Sequence, residues 1–194
     1  ILSVASTFAY AQSTKIGLKT GLNLSHASTN DHDLQHDLTT RPSFHFGIVA
    51  DFEMSKKLSF QPQLLFSGRG ANKSHGDHDD SFAFNSIEIP LNFVYKPKND
   101  KGIFFGAGPA IGYNINGKQE GHHNGGHDHD DLEFGSGVNQ YKRFDLGVNA
   151  LLGYQVSKKL FVSTNYNLGL TDWRNSNPTW RNNIAAVSIG YFFK

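Results

Sequence analysis

Histidine is where this sequence concentrates its chemistry. Nine of the ten histidines fall in or at the start of three connecting stretches: His26, His32 and His36; His75 and His78; His122, His123, His127 and His129. Aspartate accompanies them, as in Asp31-His32-Asp33, His75-Gly76-Asp77-His78-Asp79-Asp80 and His127-Asp128-His129-Asp130-Asp131. Imidazole plus carboxylate suits Zn²⁺, Ni²⁺ or Cu²⁺ and is too nitrogen-rich for Ca²⁺ or Mg²⁺. The candidate metal ligands are therefore His32, Asp33, His36, His75, Asp77, His78, His122, His123, His127, Asp128, His129 and Asp130. Zinc leads, nickel and copper follow, and no organic cofactor is implied. An EF-hand reading of Asp77-Asp79 or Asp128-Asp130 fails, because the required Gly and terminal Glu are missing.

Glycine around His122–His129 lets ligands fold around an ion. Without a rigid frame, ordering costs free energy, which favours weak or multi-ion capture over one tight site. Binding should fade as the imidazoles protonate below about pH 6. The alternative for the same residues is a set of solvated polar loops with no ligand.

Charge follows the histidines. Residues 26–41, 71–83 and 118–138 carry 11 acids and 3 bases, net −8, whereas the rest carries 6 acids and 15 bases, net +9. A formal charge of +1 thus hides two electrically opposite ends. The basic residues are scattered, which argues against nucleic acid as a partner. No nucleophile motif stands out, and the His-Asp pairs are clustered repeats, so no enzyme is expected.

The elements that must position these residues alternate with period two. In Lys15 to Ser25, Ile16, Leu18, Leu22 and Leu24 oppose Lys15, Gly17, Lys19, Gly21, Asn23 and Ser25. Phe44 to Glu53 and Leu58 to Ser67 repeat the pattern, and five further segments follow at about 84–96, 102–116, 140–156, 159–171 and 183–193. Each is longer than the roughly 5–6 residues of a soluble strand. The less apolar face is rich in Gly and Asn, as the filled interior of a small barrel requires. Connections alternate too: 26–42, 68–83, 117–139 and 172–182 are long, whereas Met54–Lys57, Pro97–Lys101 and Ser157-Lys158 are short. Long outer loops and short periplasmic turns have that phase. Aromatics such as Phe60, Phe93, Tyr95, Phe105, Tyr154 and Tyr191 fall near strand ends, where an interfacial girdle belongs.

The fold class expected is all-β: an eight-stranded antiparallel transmembrane β-barrel with long extracellular loops and short periplasmic turns. Ile1–Ala11 ends in Ala9-Tyr10-Ala11 and reads as the remnant of a signal peptide, leaving 12–194 as the barrel domain. Cysteine is absent, which excludes disulfides and thiolate metal sites. Pro62, Pro90 and Pro109 lie inside expected strands, where bulges would accommodate them. Lys19, Asp51, Glu53, Arg69, Glu88, Lys96 and Asp145 are expected to pair across the lumen.

Seven ordered pieces carry a resemblance: Gly17-Leu18-Lys19-Thr20-Gly21-Leu22-Asn23, Pro62-Gln63-Leu64-Leu65-Phe66-Ser67-Gly68, Ile87-Glu88-Ile89-Pro90-Leu91, Gly106-Ala107-Gly108-Pro109, Phe144-Asp145-Leu146-Gly147, Tyr166-Asn167-Leu168-Gly169-Leu170 and Gly190-Tyr191-Phe192-Phe193. Together they resemble the small outer-membrane β-barrel family that includes the PorT-like proteins. The resemblance implies an outer-membrane location, a bilayer as the partner of the apolar face, and a closing strand that looks like the signal read by barrel-assembly machinery. It brings no catalytic residues, and histidine-rich loops are not a hallmark of the family. The function expected is therefore non-enzymatic capture of a transition-metal ion at the outer loops, for storage or for delivery to a metal-uptake receptor. The alternative is a structural or interaction barrel serving adhesion, envelope integrity or secretion.

Overall fold

The alternation closes into a ring. The computed structural model describes residues 14–31, 36, 38–75, 78–98, 101–123, 126–138, 140–175 and 179–193, with the backbone alone at 74, 75, 78, 79, 122, 123 and 126–129. The expected leader, Ile1–Ala11, lies outside the described residues. Its strands are β1 (Thr14–Thr29), β2 (Leu38–Thr39), β3 (Arg41–Glu53), β4 (Leu58–His75), β5 (His78–Tyr95), β6 (Gly102–His123), β7 (Gly126–Asp131), β8 (Phe144–Gln155), β9 (Leu160–Gly169) and β10 (Trp180–Phe192). Eight of them pair antiparallel in the order β1-β3-β4-β5-β6-β8-β9-β10, and β10 returns to β1 over Gly17↔Phe192 to Thr29↔Trp180. Closure leaves no edge in that ring. The short β2 and β7 are added at the long-connection end, on β4 and β6. No helix among the described residues is long and apolar enough to cross a membrane.

Burial is inverted relative to a water-soluble sheet. In β1, Leu22 is 69% exposed while its neighbour Asn23 is 2% exposed. In β8, Phe144, Leu146, Val148, Leu152 and Tyr154 face out, and Asp145, Asn149 and Gln155 face in. That pattern is stable only where hydrocarbon replaces water around the ring, since it would otherwise strand an apolar belt in solvent. Near the short-turn end, aromatic rings pair from strand to strand: Phe52 with Phe60 at 6.5 Å, Phe60 with Phe93 at 5.3 Å and Tyr95 with Phe105 at 5.3 Å.

The two Ser-Lys-Lys-Leu turns fold alike. The Met54 and Ser55 amides donate to Leu58 O, and the Val156 and Ser157 amides donate to Leu160 O. In each turn the serine hydroxyl oxygen accepts the leucine amide, Leu58 to Ser55 at 3.2 Å and Leu160 to Ser157 at 3.1 Å.

Three expectations need correction. The prolines do not sit at bulges: Val49↔Gln63 and Phe52↔Phe60, Pro62↔Leu91 and Leu65↔Glu88, and Pro90↔Ala110 and Phe93↔Ala107 each keep one register. The ladder omits rungs beside Pro62 and Pro90 and then resumes, which costs hydrogen bonds but no residue. The register shift found among the described residues lies at Asn85/Ser86, where Ile115 is the extra residue opposite. Second, much of 68–83 and 117–139 is strand, not loop: β4 and β5 reach His75 and His78, while β6 reaches His123. The sequence between those residues is Gly76-Asp77 and Asn124-Gly125, both two-residue hairpin signals. Third, the segment expected from 140 becomes regular only at Phe144, because Tyr141 is drawn into bridges with Phe134 and Arg174.

Candidate functional site

Within the membrane band the lumen is filled with paired polar groups. Arg69 donates from Nε to Glu88 Oε1 at 2.6 Å and from its terminal nitrogen to Asp145 Oδ2 at 2.5 Å. Lys96 pairs with Asp51, and Lys15 with Glu53 at 3.0 Å. Lys19 is satisfied by amides instead, donating to Gln63 Oε1 at 3.1 Å and to Asn165 Oδ1 at 3.2 Å. Apart from Lys15, these are the lumenal charges expected from the sequence, and each has a partner. His45 belongs to the same network, its Nδ1–H donating to Asn23 Oδ1 at 2.7 Å and its Nε2 accepting from Ser188 Oγ at 3.0 Å.

The lumen is stopped at both ends. Val49, Val94, Phe104, Leu151, Phe161 and Phe192 form an apolar plug toward the short turns. Toward the long connections, Ala27, Leu38, Ala71, Phe84, Tyr141 and Trp173 form a second buried cluster, flanked by Phe82, Leu132, Phe134 and Trp180. Trp173 lies 4.9 Å from Phe84 and 6.2 Å from Trp180, its ring tilted to both. Arg143 lies 4.7 Å over Phe134, and Arg174 lies 5.7 Å over Tyr141. Burial in this cap pushes the Tyr141 phenol above its usual range, so it stays neutral at physiological pH. Between the plugs, the space lined by Lys19, His45, Glu88, Asn149 and Asn165 amounts to about 20 Å³, room for an ordered water and not for a solute path.

The cap escaped the sequence reading, yet a signal for it was present. Both tryptophans, with Phe82 and Phe134, lie in the long connections, where solvated loops have no use for so much aromatic surface.

Above the cap the histidine-bearing connections meet through their backbones. Leu38↔Lys73 and Thr39↔Asn72 tie the first connection to β4. Residues 72–75 pair with 78–81, residues 79–81 pair with 120–122, and residues 118–123 pair with 126–131. A raised sheet of β4, β5, β6 and β7 results. His75 stands opposite His78, Asp79 opposite His122, and His122 opposite His127. Glu120 faces His129, Gly121 faces Asp128, Gln119 faces Asp130, and His123 faces Gly126. His36 and Asp130 are exposed. His32, Asp33 and Asp77 lie outside the described residues. Among the described residues, no three His, Asp or Glu side chains form a group that would hold a metal ion.

Residues 10–175 match a family model described as an outer membrane protein beta-barrel domain. In structure the chain is similar to the Neisserial surface protein A, with 12% identity, TM-score 0.54, and 93% of this chain and 99% of that one covered. It is similar to Ail, the attachment invasion locus protein of Yersinia pestis, with 11% identity, TM-score 0.50, and 93% and 99% covered. It is also similar to the outer membrane protein OprG of Pseudomonas aeruginosa, with 11% identity, TM-score 0.51, and 93% and 96% covered. At such identities the likeness establishes the fold alone. No curated protein matches the sequence.

Proposed function

The chain belongs to the outer membrane protein beta-barrel domain family and resides in the outer membrane, and on that premise we propose that it is a closed, non-enzymatic interaction barrel of the cell surface. One observation carries this: the barrel is packed shut inside, while β4, β5 and β6 continue beyond the aromatic cap and are joined there by β7 in an ordered sheet. Ordering that much backbone outside the bilayer costs conformational entropy on folding, and it lowers the ordering cost left to pay when a partner binds. Its partner is cationic, because the outer connections carry 11 acids against 3 bases. Ail has been solved with the heparin analogue sucrose octasulfate, and a sulfated polyanion is the wrong sign for the outer face here. Adhesion, envelope integrity and secretion are the roles open to such a barrel. A PorT-like placement would make the partner part of a secretion apparatus. The closing β10, ending in Tyr191-Phe192 with Phe193 just after it, is the segment offered to barrel-assembly machinery.

The test is to shorten both ribbons, replacing 72–81 and 119–130 with tight turns, and to compare capture of basic proteins and cell-surface adhesion. The shortened barrel should fold and insert but lose capture. Capture that survives the shortening would overturn the reading.

Transition-metal capture is a second reading, favoured by the pairing of the second and third histidine-rich connections, which puts ligand types side by side. Storage, or delivery to a metal-uptake receptor, is the use such capture would serve.

A further inference from the structure

We infer that one divalent transition-metal ion of the zinc class binds on the single face of the raised sheet where the register sets His122, His127 and His129 in adjacent positions, with Asp79 opposite His122. This rests on the metal-capture reading and sharpens it from a loop property to a face.

Register brings these positions together. His122 on β6 is directly opposite His127 on β7, and directly opposite Asp79 on β5. Residues opposite one another in an antiparallel pair share a face, with β-carbons about 4.5–5.5 Å apart. His129 lies two residues along β7 from His127 and so returns to that face. Three histidine positions and one aspartate position thus share a face across three adjacent strands. Open zinc sites use three protein ligands, His₃ among them, at about 2.0–2.1 Å. The remaining candidates of the same stretch, His123, Asp128 and Asp130, stand opposite Gly126, Gly121 and Gln119, in the alternate rows. Period-two geometry therefore divides one histidine-rich stretch into a ligand face and an opposite face.

The same register supplies a rigid frame for the metal site. These ligands sit on hydrogen-bonded strands, and only Asn124-Gly125 separates the paired His123 and Gly126. Much of the ordering cost is then met by folding instead of by binding.

The experiment titrates Zn²⁺ calorimetrically into the tag-free, detergent-refolded full chain and two variants. One is His122→Asn/His127→Asn/His129→Asn and the other His123→Asn/Asp128→Asn/Asp130→Asn. Heat-dependent gel migration verifies refolding, and the single His127→Asn variant replaces the first triple should that fail to refold. Native protein should bind one ion. The ligand-face variant should lose affinity by at least about a hundredfold, more than the roughly 10–100-fold that outer-shell partners alone contribute. The opposite-face variant should stay within a few-fold of native. Equal loss in both variants would overturn the face assignment while leaving loop capture standing. Absence of Zn²⁺ binding to the native barrel would remove the metal reading and this site with it.

Discussion

The embedded half and the raised half of this molecule use the same strands under opposite rules. Along the inner side of β5, the membrane band presents Asn92, Glu88 and Ser86, and the continuation beyond it presents Phe84 and Phe82. Along β1, Lys19, Asn23 and Ser25 give way to Ala27. Below the changeover, lipid is the apolar phase, so the interior can be polar provided every charge finds a partner. Above it, water surrounds the strands and the apolar groups must turn inward. The level of the Arg69 cluster therefore marks where the protein passes from one solvent to the other.

That contrast can be broken experimentally. The largest effect is expected from Arg69→Met, which leaves Glu88 and Asp145 buried without their cation and should cost about 3–5 kcal/mol. Urea unfolding of the refolded barrel measures it, and a triple variant with Glu88→Gln and Asp145→Asn should recover most of the loss. An unchanged midpoint for Arg69→Met would mean that the ion cluster does not hold the embedded half together.

Trp173→Ala comes next, at about 3 kcal/mol if the cap behaves as an ordinary core. Its loss should be local: the raised sheet becomes open to protease while the barrel keeps its heat-dependent gel migration. If the whole barrel unfolded earlier by a similar amount, the two halves would be one cooperative unit and the division drawn above would fail.

His45→Ala strands the buried Asn23 and Ser188 groups and should cost about 1–3 kcal/mol, without altering zinc binding at the outer sheet. A changed zinc affinity in that variant would show that the lumen and the sheet communicate. Smallest are Ser55→Ala and Ser157→Ala, each worth about 0.5 kcal/mol by loss of a turn hydrogen bond. Matching values would confirm that the two turns are energetically as well as geometrically alike.

The embedded half was legible because lipid imposes one rule on every strand. Leu18 against Lys19 and Leu146 against Asp145 announce which face is which, without any knowledge of the neighbours. The raised half was not read in that way. Gly76-Asp77 and Asn124-Gly125 are hairpin signals, but they sat among charged and histidine residues that read as loop, so strand continuation was missed. The aromatic cap was missed for a related reason: Phe84, Tyr141 and Trp173 are far apart in the chain, and no local period joins them.

Composition and periodicity alone determined the class of fold, the eight strands of the ring, the two-ended charge and the candidate ligands other than Asp79, since these depend only on residue type and spacing two apart. Tertiary structure decided which of those residues stand together. Asp79, His122 and His127 become neighbours only when β5, β6 and β7 take up one particular register, and a slip of a single residue would put His122 beside Asp128 or Gly126 instead. Register is set by the whole ring below the sheet, from the Arg69 cluster to the extra residue at Ile115, and no local stretch of sequence contains it.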